Sequence, residues 1–391
     1  MRILIIHNTL NDSTSVSGVL RHYAYMATAW AAMGHPTDFL AARAGWPQLR
    51  QLAPAAGLIS SDDWFDASGY IAQTWRYFPA YGYRMARAHW QRFEPHYDVI
   101  YASSQLIFET YPALVLQRRR PARLALKIHH VLAAQPARKG LFDRLFLWSE
   151  RQSARWMNRR AETLICSTPI VGQDWAALEL QLGLTPLPAA HIGYGLDLSL
   201  IQPGPPAAKK FDVVFLGRLH EHKGVFDMPG FWAEIVARRP EARLVVVGEG
   251  PHRARTQALF QERGLLNSVT FTGGISETAK NEYLAQARVG VSLSYEEGWG
   301  LSVMEFLGAA LPVAAYSLPV FAHAFPGQLE LVPKGDWRAL AQKTLAFLTD
   351  PDRALADGVR GREFVARYDY RRVAEAELCA LQAGTRTHHA Q

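Results

Sequence analysis

Two glutamates define the chemistry this chain can perform. Glu297 and Glu305 form a Glu-x7-Glu pair in the stretch from Ser294 to Ala315, SYEEGWGLSVMEFLGAALPVAA. On one continuous helix they would stand roughly 12 Å apart, too far to share one functional group. Gly298 and Gly300 lie between them and force a loop, so Glu297 is free to fold back. Each carboxylate can then hold a different part of one long ligand. Ionised carboxylates accept hydrogen bonds, and the paired hydroxyls of a sugar ring or a ribose supply the donors. The amides of Gly298, Trp299 and Gly300, next to a helix N-terminus at Leu301, suit a phosphate. Arg218 and Lys223 lie in Gly217-Arg-Leu-His-Glu-His-Lys-Gly224. Arginine offers a rigid fork and lysine a point charge, and both suit a diphosphate. In isolation, the glutamates would read as a loop cap and a solvated charge, and the cations as a solvated pair.

The elements around these residues are those of an α/β chain. Arg288–Leu293 is a short buried strand, and Leu301, Met304, Glu305, Gly308 and Ala309 follow at helical spacing. Leu311-Pro312 ends that helix and Val313–Ala315 begins another strand. This strand–loop–helix–strand unit puts its loop where open α/β sheets bind ligands. Phe211–Leu216 is the strand that leads into Gly217. Leu244–Val247 leads into Gly248-Glu-Gly-Pro251, and Val269–Thr272 into Gly273-Gly-Ile275. Upstream, strands are expected at Arg2–His7, Thr37–Leu40, Tyr97–Ser103, Arg123–Ile128 and Glu162–Ser167. Helices are expected at Val19–Met33, Phe108–Arg120 and Pro169–Leu182. His129-His130 stand at the carboxyl end of a strand, another expected ligand position. Gln202–Lys210, rich in Pro, Gly and Ala, reads as a linker. Asp336–Leu348 and a last stretch, Arg362–Leu381, read as helices.

The order of Gly217-Arg218-Leu219, Lys223-Gly224, Gly248-Glu249-Gly250, Phe271-Thr272-Gly273 and Glu297 to Glu305 resembles the retaining glycosyltransferases of family 4, the group 1 glycosyl transferases. The resemblance is strong over roughly residues 190–330 and weaker before them. It implies the GT-B fold, with two Rossmann-like doubly wound domains facing a central cleft and a C-terminal helix crossing back to the first. The implied division is 1–203 for the acceptor-side domain, 204–361 for the nucleotide-sugar-binding domain, and 362–391 for the crossover helix and tail.

The activity implied is transfer of a sugar from a nucleotide-diphosphate sugar to an acceptor hydroxyl, with retained configuration. By this resemblance Arg218 and Lys223 bind the donor pyrophosphate and take the charge of the leaving group. Glu305 binds ribose hydroxyls, while Glu297 holds sugar hydroxyls and the developing positive charge. Gly217, Gly248, Gly273, Gly298, Gly300 and Leu301 bring backbone to the donor, and Ile275 covers the base. His129 is the best match to a histidine that faces acceptor or donor sugar, and His130 the second. The family often has a glycine pair in its first loop; here Val16-Ser17-Gly18-Val19 has one, so Gly18 alone is carried over. Tyr194 stands where the family has an asparagine, and Pro319–Gly335 departs from its pattern, so no site is read there. A front-face displacement, with the leaving phosphate accepting the acceptor's proton, is favoured over the two-carboxylate hydrolase scheme.

No cofactor is expected, because the donor, such as GDP-mannose or a UDP-hexose, is a substrate. No Asp-x-Asp metal site is apparent. A GT-B epimerase, a GT-B phosphorylase and an inactive sugar-nucleotide-binding protein are the alternatives. The last should have lost Arg218, Lys223, Glu297 or Glu305, and all are present. An NAD-dependent dehydrogenase would want Gly-x-Gly-x-x-Gly after the first strand, and His7–Gly18 lacks it.

Bulk properties agree with two globular domains: 391 residues exceed one ordinary core, and 49% apolar with 20% charged content is not that of a disordered chain. No apolar run is long enough to span a membrane. Met1–Ile6 reads as a strand, too short for a signal peptide. Cys166 and Cys379 read as free thiols in a reducing cytoplasm. The net charge of +7 fits anionic lipid or phosphorylated substrates. Nucleic acid is not expected, since zinc-finger spacing and RNA-binding signatures are missing.

Ala67–Phe93 holds many aromatics and arginines and no acid. Tyr83, Ala86, Trp90 and Phe93 share one helical face, and Arg84, Arg87 and Gln91 another. That segment is a helix packed on the first sheet or, on the second reading, a membrane-facing or lipid-acceptor surface. Arg138–Arg160 reads as a basic helix with Phe142, Leu145, Phe146, Trp156 and Met157 as its apolar stripe. It is read as structural first and membrane-facing second. The expected partners are therefore a nucleotide-sugar donor and a glycan or lipid-linked acceptor, with peripheral contact to anionic membrane as a further expectation. The expected place is the cytoplasm, extending to the inner face of its membrane, in cell-envelope polysaccharide or glycolipid synthesis.

Overall fold

The computed structural model describes residues 1–9, 17–62, 77–92, 95–134 and 141–386. Most of the polar loop after the first strand, most of the aromatic run before Tyr77, Phe93, and the first residues of the Arg138–Arg160 reading lie outside them. The chain divides into two compact units, Met1–Gly195 with Tyr370–Gln391, and Leu196–Asp369.

The first unit holds β1 (Ile3–Ile6), α1 (Gly18–Ala32), β2 (Thr37–Ala41), α2 (Trp46–Leu52), β3 (Gly57–Ser60), α3 (Tyr77–Arg87) and β4 (Val99–Ala102). It continues with α4 (Ile107–Arg119), β5 (Arg123–Ile128), α5 (Leu141–Arg160), β6 (Thr163–Cys166), α6 (Pro169–Gln181) and β7 (Ala190–His191). Its sheet is parallel in the order β3-β2-β1-β4-β5-β6-β7. The second unit holds β8 (Phe211–Leu216), α7 (Met228–Val236), β9 (Leu244–Val247), α8 (Arg253–Glu262), β10 (Val269–Gly273), α9 (Glu277–Ala285) and β11 (Ala287–Ser292). Then follow α10 (Leu301–Gly308), β12 (Val313–Tyr316), α11 (Pro319–Ala324), β13 (Glu330–Val332), α12 (Trp337–Thr349) and α13 (Pro351–Val365). This sheet is also parallel, in the order β10-β9-β8-β11-β12-β13. Both units are thus doubly wound and Rossmann-like. Helices cover both faces of each sheet, which is why central strands such as β1 and β9 are unbroken apolar runs, buried throughout.

The last helix, α14 (Tyr370–Ala383), belongs to the first unit. It packs Val373, Ala374, Leu378 and Leu381 with Tyr23, Met26 and Trp30 of α1. The Trp30 indole donates to the Ala374 carbonyl at 2.8 Å. Beneath that contact the Glu377 carboxylate meets the Lys127 ammonium and His22, all three without exposed side-chain surface.

The structure corrects several expectations. Arg362–Leu381 is not one helix: α13 ends at Val365, a short 3-10 turn occupies Ala366–Tyr368, and α14 starts in the other unit. The chain changes unit at Gly195/Leu196 and at Asp369/Tyr370, not at 203/204 and 361/362. The stretch 202–210 is seated on the second unit, where Lys209 donates to the Ala285 carbonyl at 3.0 Å. Arg84 is buried, not on a polar face, because its guanidinium pairs with Asp62 and reaches the Asn8 carbonyl. Trp90 of the supposed packing face is 57% exposed. On α5 the inner face is largely small and polar. Glu150 accepts from the Leu132 and Ala133 amides at 2.8 and 2.9 Å, and Ser153 bonds Thr110 at 2.6 Å. Leu145 and Trp148 consequently face outward, at 44% and 53% exposure.

Candidate functional site

In the second sheet the strand order reverses between β8 and β11, so the loops leaving those two strands flank the position where a doubly wound sheet takes its ligand. The β8 loop is Gly217–Gly224 and the β11 loop Leu293–Gly300. Backbone hydrogen bonds strap the β8 loop to its neighbours: Gly217 N to Val247 O at 3.0 Å, Leu219 N to Glu249 O at 2.9 Å, and His252 N to Leu219 O at 3.1 Å. Tyr295 N donates to His222 O at 2.8 Å and ties the two switch-point loops to each other.

Side chains reinforce this join. Lys223 reaches across to Glu297 at 2.5 Å, and Glu297 also accepts from Ser294 Oγ at 2.8 Å. Tyr295 and Tyr316 both donate phenolic hydrogens to Asp227 Oδ2, each at 2.7 Å. Burial and that carboxylate push the Tyr295 phenol up to about 12, and they raise Tyr316 as well. Both therefore remain donors at neutral pH. Arg218 is exposed and its side chain makes no ion pair or hydrogen bond among the described residues. His220, His222 and His252 cluster beside it, with ring centroids 4.5 and 5.2 Å from His220.

The glycines divide into two kinds. Gly248, with φ 137°, lies so close to the Gly217 carbonyl oxygen that an added Cβ would collide with it. Gly300, with φ 99°, starts α10 in a left-handed conformation, and a Cβ there would stand 2.5 Å from the Phe321 ring. These two are required by the fold. Gly217 is not, since its nearest neighbour to an added Cβ is 3.6 Å away. Gly273 turns β10 toward Arg253 and Glu249, which pair at 2.5 Å. Ile275, half-buried, follows just before the Ser276 cap of α9. Gly298 is half-buried in the β11 loop, and Leu301 opens α10, whose first amides have no partner within the helix.

Glu305 lies in α10 and is 5% exposed. Its carboxylate pairs with Lys280 of α9, which also contacts Glu277 at 2.8 Å. Lys280 was not singled out in the sequence, nor were Asp227 and Tyr316. Trp299, 5% exposed, packs edge-on against Phe325 and Tyr368 at 5.8 and 5.0 Å. The Pro319–Gly335 stretch, in which no site was read, thus supplies Phe321 and Phe325 as the bed of this loop.

Arg218, Lys223, Glu297, Glu305 and the glycines from 217 to 300 therefore come from one unit and its switch point. Gly18 and His129 belong to the other. Gly18 is the first residue of α1, behind Ser17, which caps the Leu20 amide at 3.1 Å. His129, expected to face acceptor or donor sugar, is enclosed. It is 4% exposed, Nε2 meets the Ser103 carbonyl at 2.6 Å, and Nδ1 meets the Tyr194 hydroxyl at 2.5 Å. Burial, aided by Lys127, holds its pKa well below the usual histidine value. Both ring nitrogens are engaged by protein groups. His130 is the more exposed of the pair.

Among the described residues no group of acids, histidines or cysteines could hold a metal ion. Nor is any helix among them long and apolar enough to cross a membrane.

Residues 200–363 match the family model described as glycosyl transferases group 1. The chain is 32% identical over 201 residues to a GDP-mannose-dependent alpha-(1-6)-phosphatidylinositol monomannoside mannosyltransferase of Mycobacterium tuberculosis, covering 46% of this chain and 52% of that one. The match thus spans about half the length of that relative. Among solved structures, Anabaena HepE in complex with UDP and glucose superposes with a TM-score of 0.74 at 17% identity, over 98% of this chain and 100% of that one. A sucrose-phosphate synthase from Thermosynechococcus elongatus gives 0.74 at 20% identity, over 97% and 98%. At those identities the likeness concerns the fold.

Proposed function

We propose that this chain, whose residues 200–363 match the group 1 glycosyl transferases and whose fold is GT-B, is a retaining hexosyltransferase of glycosyltransferase family 4. It moves a sugar from a nucleoside-diphosphate sugar to an acceptor hydroxyl. The observation that carries this reading is the second switch point, where Arg218, the Lys223–Glu297 pair and the first turn of α10 come from adjoining loops.

The diphosphate of the donor lies against Arg218, Lys223 and the amides that open α10. Glu305 accepts from the ribose hydroxyls and Glu297 from those of the sugar. As the bond from the anomeric carbon to the diphosphate oxygen breaks, negative charge grows on that oxygen. Arg218 and Lys223 meet it, and each such contact is worth roughly 3 kcal/mol of barrier. The acceptor oxygen bonds the anomeric carbon on the face the diphosphate leaves, and its proton passes to the departing phosphate. Glu297 is held by Lys223 and Ser294, so it enters this step oriented.

The named donor of the Mycobacterium tuberculosis relative and the UDP and glucose in HepE support GDP-mannose or a UDP-hexose as donor. No cofactor or metal enters this scheme. We assign the acceptor to glycans or lipid-linked glycans of the cell envelope. The outer face of α5, with Arg144, Trp148, Arg151, Arg155 and Arg159 exposed, supports peripheral contact with an anionic membrane from the cytoplasmic side.

Thermal unfolding against UDP, GDP, ADP and their sugars tests the donor. A ligand at about 100 times its dissociation constant stabilises by roughly 2.7 kcal/mol. One nucleotide should shift the native chain, and the shift should vanish in Arg218→Ala and Glu305→Ala. No shift with any of them would refute the reading.

A further inference from the structure

We propose that Lys280 is the positioning residue for Glu305, orienting that carboxylate toward the ribose of the donor, with Glu277 setting how much of the ammonium Glu305 receives. The inference rests on the donor reading above.

Lys280 projects from α9 into the base of α10. Its side chain is 7% exposed, that of Glu305 6%, and that of Glu277 33%. A lysine this enclosed is retained where it is paired. Its two partners differ. Glu277 lies one helical turn earlier on α9 and is partly in water, so it contributes an ordinary surface-like contact at 2.8 Å. Glu305 is enclosed, and its Oε1 rests on the ammonium.

That contact does two things for a ribose site. A glutamate has several rotatable bonds, and an ammonium on Oε1 fixes which way the carboxylate plane faces. One ammonium also takes only one of the roughly four lone-pair positions of a carboxylate, so a vicinal diol can donate to the same group. With Lys280 gone, Glu305 becomes a buried charge without its cation, and it relieves that cost by turning toward water. The ribose then meets a carboxylate that no longer faces it. Lys280 touches neither sugar nor phosphate in this scheme and acts through Glu305 alone.

The test uses the full chain and titration calorimetry with GDP and 2′-deoxy-GDP, and with UDP and 2′-deoxy-UDP. The native chain should prefer the ribo form of its nucleotide by roughly tenfold or more, as expected for a hydrogen bond to a charged group. In Lys280→Met the preference should fall toward unity, and Lys280→Arg should restore most of it. Glu277→Gln, which leaves the whole ammonium to Glu305, should raise the preference. This variant decides the matter if Lys280→Met fails to fold. A well-folded Lys280→Met with the full ribo preference would overturn the proposal, and so would Glu277→Gln failing to raise that preference. A native chain that binds the nucleotide but treats both forms alike overturns the role of Glu305 and with it that of Lys280. A native chain that binds neither GDP nor UDP overturns both the donor reading and this inference.

Discussion

Glu377→Leu removes the one carboxylate from a charge cluster that fastens the last helix to the first unit. Glu377, Lys127 and His22 have no exposed side-chain surface. The carboxylate meets the Lys127 ammonium, His22 Nε2 at 2.9 Å and the Tyr101 hydroxyl at 3.2 Å. Without it the ammonium is left with the Gly193 carbonyl at 3.1 Å, His22 at 2.9 Å and the face of the Tyr194 ring, 5.3 Å from its centroid. Stranding one member of a buried pair costs about 3–5 kcal/mol. For a unit of this size each kcal/mol lowers the melting temperature by roughly 2–4 °C, so the first unit should melt about 6–20 °C lower. The double variant Glu377→Leu with Lys127→Met removes both charges and should recover most of that loss, since apolar replacement of a whole pair is close to neutral.

Acid adds an independent reading of the same cluster. Burial opposes ionisation of Glu377, but Lys127 and His22 outweigh it and hold the carboxyl down at about 2, against 4.5 when free. Its contribution is therefore present above pH 4.5 and is lost as pH falls through 2. The gap in stability between native chain and Glu377→Leu should close over that window. Scanning calorimetry from pH 2 to 7 measures both effects. A single variant that melts within ~2 °C of the native chain would refute the reasoning, as would a double variant no better than the single.

Other variants test other parts of the chain. Glu109, fully buried, accepts from the Thr9 amide and Ser104, and burial raises its pKa from 4.5 to about 7. A raised carboxyl costs stability as pH climbs from 4.5 through 7, here about 3 kcal/mol. Glu109→Gln should remove that loss, and an unchanged slope in melting temperature against pH would contradict it. Gly248→Ala should destabilise the second unit by ~1–3 kcal/mol. Gly217→Ala should leave stability within ~0.5 kcal/mol yet weaken nucleotide binding, both read by melting and titration. Glu297→Gln should lower kcat on the order of 100-fold while nucleotide affinity moves less than tenfold, so equal losses in both would count against its placement at the sugar. Arg151→Glu with Arg155→Glu should abolish co-sedimentation with anionic vesicles. The native chain should bind them at low salt and be released at high salt.

The strands were legible in the sequence because both faces of each parallel sheet are covered, which leaves runs such as Ile3–Ile6 and Leu244–Val247 wholly apolar. The candidate charges stand out in the sequence because Arg218, Lys223 and Glu297 follow strands among glycines, while Glu305 is marked only by its place in the helix after that loop. What was not legible depends on distant partners. Lys280 lies in an ordinary helix beside other charges, and only Glu305 of the next helix makes it a buried residue. Arg84 looked like a solvent-facing arginine until Asp62 enclosed it. His129 occupies a ligand position by strand order, but Tyr194 and Ser103 claim both its nitrogens. The break at Ala366–Asp369 contains neither glycine nor proline, and its one local signal is Asp369, the helix-start residue type just before α14.

That break has a bearing on how the protein is made. The first unit is discontinuous, and its last helix is translated only after all of Leu196–Asp369. At ~5–20 residues per second the ribosome spends on the order of ten to thirty seconds on that insert. Throughout that interval Tyr23, Met26 and Trp30 lack the helix that covers them, and Lys127 lacks its carboxylate. The second unit, an uninterrupted segment, is complete first. A nascent chain stalled before Tyr370 should therefore carry a finished second unit and a first unit that is open to chaperones and proteases.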